Sequence, residues 1–190
     1  MAKTLYAILL VLYFTAHSSA ATERLLVGSV INNSDDEVFS ELLISDGIAE
    51  LVADELFKTG RYRLLERNQD ALAQIEAFSE SRGGPSPAAT LGYDTLATVT
   101  IERVKKSRQR SFLGPFSKAS VKVTVEINIS LQQRDGQIRT ARGKGSGKTK
   151  STGVLFQVRE GKIYFDRTSA GLATARAVKA AVAKLQEDAE

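Results

Sequence analysis

The chain has 190 residues, of which 43% are hydrophobic and 25% charged, and this composition predicts one domain with a sizeable core. Because it contains no cysteine, we expect no disulfide, no thiolate metal site and no lipid-modified cysteine. The formal net charge is +4, but residues 23–101 hold six basic and fourteen acidic residues (−8), whereas residues 102–150 hold thirteen basic and three acidic (+10).

Three interpretations of this uneven charge remain open. The acidic and basic parts face each other within one subunit, or they lie on opposite sides, so that identical subunits join head to tail into a homo-oligomer. The third interpretation is a basic surface for anionic lipid, lipopolysaccharide or nucleic acid. Because we expect an exported chain, we expect no nucleic-acid partner.

Residues 1–21 predict an export signal. Lys3 precedes an almost wholly apolar run over 5–14, and small residues at 18–21 offer a cleavage site. The run is short for a bilayer span, and an uncleaved membrane anchor is the alternative. We expect residues 22–190 to form a single exported domain.

The first part of that domain predicts a strand, a helix, a short strand and a second helix. An apolar run at 25–31 predicts a buried strand, and helical spacing of apolar residues predicts a helix over 40–59. Gly60 suits the end of that helix, because glycine adopts the left-handed turn without steric cost. Residues 62–65 alternate as a strand, and Asn68 can cap the next helix.

The second part predicts long antiparallel strands. Residues 93–104 are rich in β-branched side chains, and residues 121–131 alternate strictly between apolar and polar. Asp135-Gly136 is typical of a tight hairpin turn. We therefore expect two extended hairpins, at about 100–134 and 138–166.

An alanine-rich helix from about Ser169 closes the chain. Residues 82–87 predict a loop, and the hairpin tips are expected near Gly114 and near 152–153. Short connections favour an α+β fold, a mixed β-sheet covered by helices with two long antiparallel hairpins, after an N-terminal signal peptide.

Residues 143–149, Gly-Lys-Gly-Ser-Gly-Lys-Thr, invite comparison with a phosphate-binding loop. That motif needs a glycine where Arg142 stands and a helix after the loop, and neither condition is met. We instead predict a strand with its glycines on one face and its cations on the other. The predicted basic contact surface contains Arg108, Arg110, Arg142, Lys144, Lys148 and Lys150.

Catalysis and cofactor binding have little support in the sequence. The only histidine, His17, lies in the predicted signal, and the acidic cluster at 35–37 is more typical of a solvated turn than of a metal site. We expect no enzyme activity, no cofactor and no metal. At the end of the short strand, we expect Glu66 or Arg67 to be hydrogen-bonded, with two ordinary surface charges as the alternative.

The order of these parts resembles the family of the curli secretion channel subunit, CsgG. That family has a long helix, then a glycine or serine with Arg-aromatic, and a Leu-Glu-Arg triplet, matched here by Gly60-Arg61-Tyr62 and Leu65-Glu66-Arg67. Leu91-Gly92-Tyr93-Asp94 is similar to its Gly-Ala-Asp segment, and the strand at 121–131 and the helix at 172–185 also match. The family-motif residues, with structural roles, are Gly60, Arg61, Leu65, Glu66, Arg67 and Asp94.

The resemblance implies a periplasmic domain without enzyme activity, in which identical subunits form a ring and hairpins contact the outer membrane. The chain departs from the family in lacking the lipoprotein cysteine and in carrying charge along its hairpins. Two functions remain open. One is a component of protein export or surface-fibre assembly that acts by self-association or by binding an exported partner. The alternative is a soluble periplasmic regulatory binding module, similar to activators of penicillin-binding proteins.

Overall fold

The computed structural model describes residues 22–81, 87–113, 116–150 and 156–188. The predicted signal, most of the predicted loop and both predicted hairpin tips lie outside these residues. The strands are β1 (Glu23–Asn32), β2 (Tyr62–Leu64), β3 (Thr95–Leu113), β4 (Phe116–Gln133), β5 (Ile138–Lys150), β6 (Gln157–Arg159) and β7 (Lys162–Tyr164). The helices are α1 (Leu42–Phe57), α2 (Gln69–Ser81), α3 (Ala88–Leu91) and α4 (Ser169–Glu187), and a 3-10 turn at Glu37–Ser40 precedes α1.

Five strands form one mixed sheet in the order β2-β1-β3-β4-β5. β1 runs parallel to β2 and β3, whereas β3–β4 and β4–β5 are antiparallel and pair over most of their length. The predicted α+β class, with a mixed sheet and two long antiparallel hairpins, is confirmed.

The second hairpin differs from the predicted one at 138–166. β5 pairs with β4 across the Asp135-Gly136 turn, where Gly136 has φ 89°, and β6 pairs with β7 in a separate two-stranded sheet. Glu160 and Gly161 have φ 50° and 73°. Positive φ at both central residues makes a tight hairpin turn, so the chain reverses inside the segment that we predicted as one returning strand.

The main core lies between one face of the sheet and the helices α1 and α4. Its fully buried members include Val99 of β3 and Ile127 of β4, together with Ile48 of α1 and Val178 of α4. A smaller cluster lies on the opposite face near the start of β1, where Leu26 packs with residues of α2 and α3. The helices therefore cover one face widely and the other only at its β1 end.

α4 lies directly on the backbone of β5. A Cβ added to Gly143 would stand 2.6 Å from the Ala181 backbone nitrogen, and Gly145 and Gly147 also face backbone atoms of this helix. Only glycine permits this approach. The predicted strand with a glycine face is therefore confirmed, and these glycines serve helix packing instead of phosphate binding.

Candidate interaction surface

The family-motif residues at the first junction hold helix, strand and helix together. Gly60 takes φ 72° after α1, and Leu65 packs against the smaller apolar cluster. Arg67 Nη1 donates a hydrogen bond to Asp46 Oδ1 at 2.7 Å, the bond expected at this strand end, whereas Glu66 is exposed. These contacts are structural, and they join α1, β2 and α2.

Asp94 joins the start of β3 to β1. Arg24 Nε and Nη2 donate to its two carboxylate oxygens at 3.0 and 2.9 Å, and the Arg24 backbone N–H also donates to Oδ2 at 3.0 Å. These hydrogen bonds lower the pKa of Asp94 from 3.8 to about 2. Arg61, at the neighbouring strand, places its Nε 3.4 Å from Glu23 Oε1.

The structure divides the predicted basic contact surface between two faces of the sheet. Arg142, Lys144 and Lys148 are exposed on the face that points away from α4, because they alternate with the glycines that contact it. Arg108 is directly opposite Val121 and so belongs to the helix-covered face. The side chains of Arg110 and Lys150 lie outside the described part of the structure.

Strand pairing adds three cations that the sequence did not single out. Lys122 is opposite Lys148, Arg103 is opposite Glu126, and Lys105 is opposite Thr124. Directly paired residues share a face, so all three join the β5 cations. We call this group the outward basic face, which consists of Arg103, Lys105, Lys122, Arg142, Lys144 and Lys148, all exposed. The register of the strands is the signal that identifies it.

Two carboxylates lie among these cations. Glu126 Oε1 is 2.9 Å from Lys144 Nζ, and Glu102 Oε1 is 4.0 Å from Arg142 Nη2. The hydrogen bond from Lys144 lowers the pKa of Glu126, and the charges of Arg103 and Lys105 lower it further. The outward basic face is therefore positive overall, but two negative charges interrupt its cations.

Metal ligands do not converge within the described residues, where no three His, Asp or Glu side chains are grouped to hold an ion. Among the helices of the same residues, none combines the length and apolar character needed to cross a bilayer. Hydroxyl groups also lie on the outward basic face, where Thr124 and Ser146 share a 3.0 Å hydrogen bond.

The fold is an α+β domain with a five-stranded mixed sheet, and solved structures share it. No family model matches the sequence, and neither does any curated protein. The chain is similar to the hypothetical protein CT253 from Chlamydia trachomatis, with 15% identity, a TM-score of 0.50, and coverage of 87% of this chain and 96% of that one.

Two further structures are similar at lower TM-scores. Lipoprotein GNA1162 from Neisseria meningitidis is 17% identical, with a TM-score of 0.40 and coverage of 73% of this chain and 88% of that one. The LpoB C-terminal domain from Salmonella enterica is 15% identical, with a TM-score of 0.36 and coverage of 74% and 92%. At such identities the likeness concerns the fold alone.

The predicted membership of the CsgG family is wrong. No family model matches the sequence, and the three solved structures named above are CT253, lipoprotein GNA1162 and LpoB, not CsgG, so the expectations of curli assembly and secretion are withdrawn with it. The physical reason lies in the motif residues. Arg67 and Asp94 serve packing between neighbouring helices and strands, a need that any sheet with these connections has.

Proposed function

We propose that this chain is a non-enzymatic binding module of the cell envelope that holds an acidic protein on its outward basic face. This is the regulatory binding module kept open as the alternative in the sequence analysis. The observation that carries the proposal is the concentration of six exposed cations on one sheet face. Export to the envelope rests on the signal-like residues 1–21.

An acidic partner follows from the charge that the fold leaves unneutralised. The Arg142 and Lys144 side chains are 77% and 67% exposed, and each approaches a carboxylate of its own face. Six cations against two carboxylates leave a surplus that attracts and orients an acidic surface. On the other side of the sheet, one cation of the basic part already has an acidic partner, because Lys106 contacts Asp36.

A folded protein fits this face better than a uniformly anionic polymer. Glu126 stands among the cations with its pKa lowered, so it remains ionised and repels a continuous row of phosphates. A protein surface can place an uncharged or basic group opposite Glu126 and acidic groups around it. Interleaved attraction and repulsion of this kind gives specificity.

A second copy of the chain is the second candidate partner. Exposed acidic side chains lie on or beside α1, on the helix-covered side of the sheet and away from the outward basic face; they are Glu41, Glu50 and Asp54. Opposite charges on opposite sides permit the head-to-tail contact that the sequence suggested. Such a contact would use the same basic face.

Site-specific photo-crosslinking in the native cell tests the proposal. A crosslinking residue replaces Ser107, an exposed neutral position opposite Lys122 on the outward basic face. The same residue at Gln74, exposed on α2, is the positional control. We expect adducts with a different protein from position 107 only, weakened by added salt.

A pair of charge-reversal variants completes the design. Arg142→Glu with Lys148→Glu should abolish the adduct, whereas Arg63→Glu with Lys179→Glu, which reverses two exposed cations elsewhere, should preserve it. An adduct of twice the mass of the chain would replace the envelope partner with a second copy. Lipid or polysaccharide adducts alone, or equal adducts from both positions, would refute the proposal.

A further inference from the structure

The small β6–β7 hairpin is fixed to the body of the protein by apolar contacts. The Phe156 ring packs edge-on against Phe39 at 5.2 Å and against Phe165 at 6.2 Å between centroids. Ile163 lies against Gly47 of α1, where even a methyl group would stand 2.6 Å from Ile163 Cδ1. The hairpin is therefore held on the helix-covered side of the sheet, opposite the outward basic face.

This hairpin carries a pocket of about 190 Å³ lined by Gln157, Arg159, Tyr164 and Arg167. Gln157 and Tyr164 are cross-strand partners. With its amide oxygen turned toward Arg159, Gln157 accepts hydrogen bonds from Nε at 3.1 Å and from Nη2 at 3.2 Å. One guanidinium is thereby oriented, and the phenol of Tyr164 supplies a further donor.

We propose that this pocket, which we call the hairpin pocket, binds a side-chain carboxylate of an acidic peptide segment. Among the described residues that line it, two carry guanidinium groups and none carries a carboxylate. The planar fork of arginine matches a carboxylate with two hydrogen bonds. Arg167 already attracts one carboxylate. Its Nε lies 3.5 Å from Asp166 Oδ2, on a side chain that is 72% exposed and free to give way.

The anchored backbone makes the hairpin pocket a preorganised binding site. Glu160 holds φ 50°, a conformation that costs a non-glycine residue energy, and the tight turn it shares with Gly161 fixes the spacing of β6 and β7. Exposed Tyr164 adds apolar surface beside the cations. Tyrosine and arginine are the residue types that contribute most to binding at protein interfaces.

The test is an NMR titration of the full chain with an acetylated, amidated Gly-Glu-Gly peptide. The matched Gly-Gln-Gly peptide and inorganic phosphate are the comparison probes. We expect saturable shifts of the Gln157 and Tyr164 signals with the glutamate peptide, at millimolar affinity. We expect no saturable shifts with the glutamine peptide and weaker binding of phosphate.

Variants distinguish the hairpin pocket from general attraction to basic protein. Arg159→Gln and Arg167→Gln should each weaken binding by about tenfold or more. Lys162→Gln removes one charge from the same hairpin at a position opposite Arg159, outside the pocket lining, and should bind like the original chain. An equal loss in Lys162→Gln, tighter binding of phosphate, or no saturable shift would overturn the assignment. None of these results depends on the outward basic face.

Discussion

The substitution Gly143→Ala should show how far α4 depends on the glycines of β5. Its Cβ would stand 2.6 Å from the Ala181 nitrogen and 2.9 Å from the Ala177 carbonyl carbon, and closer still to the Ala177 oxygen. All three are backbone atoms of one helix, so no side-chain rotation relieves the overlap. The helix must withdraw.

The size of the effect follows from that withdrawal. A shift of roughly 1 Å forfeits between a quarter and a half of the dispersion energy of the atoms in contact. The residues affected are fully buried alanines of α4, including Ala173 and Ala177. We expect a loss of about 3 kcal/mol in the free energy of unfolding, the upper end for overpacking, which lowers Tm by roughly 6–12 °C in a chain of this length.

Urea and thermal denaturation followed by circular dichroism measure this loss. Gly28→Ala is the matched control, because its Cβ would meet the Ala97 oxygen at 3.5 Å and Leu96 Cδ1 at 3.7 Å, which are ordinary contacts. We expect a change within about 0.5 kcal/mol there. Equal stability of the two variants would refute the close approach of α4 to β5.

Three further predictions concern charge and capping. The pKa of Asp94 is lowered from 3.8 to about 2 in the folded protein, so its contribution to the free energy of unfolding is full above about pH 4 and is lost as the pH falls toward 2. Urea titrations over this pH range should show a smaller loss of stability in Asp94→Asn. Asn68 Oδ1 accepts from the Ala71 N–H at 2.8 Å, so Asn68→Ala should lower the free energy of unfolding by about 1 kcal/mol in urea titrations, and Asn68→Asp should not. Glu126→Gln removes a carboxylate from the outward basic face, so the Ser107 adduct should survive higher salt; adducts that become weaker would instead make Glu126 a partner contact.

Local patterns in the sequence were sufficient to predict the helices and strands but not how the strands pair. Strict alternation predicted β4, and Gly60 and Asn68 marked where α1 ends and α2 begins. The reversal at Glu160-Gly161 was missed because glutamate rarely adopts positive φ. A two-residue turn then divided a segment whose apolar residues suggested one strand.

The outward basic face depends on a β-bulge that the alternation of apolar and polar residues does not predict. A β-bulge between Ile101 and Arg103 shifts the register of β3 against β4. Without it, Arg103 would share the buried face of Ile101, because side chains alternate with period two. The bulge turns Arg103 and Lys105 outward, so the cations of β3 join those of β5 only once the pairing is known.

The strand β5 explains both the stability of the domain and the exposure of its cations. β5 can place glycine at every second position because α4 supplies the missing bulk, and the positions between are then left for Arg142, Lys144 and Lys148. α4 also reaches the edge of the strand, where Lys184 Nζ donates to the Arg142 carbonyl at 2.9 Å. A strand held by a helix on one face and along its edge keeps its outward side chains in a fixed array, which lowers the entropy lost on binding. Loosening α4 should therefore weaken partner capture even though Gly143 contributes no side chain to the outward basic face.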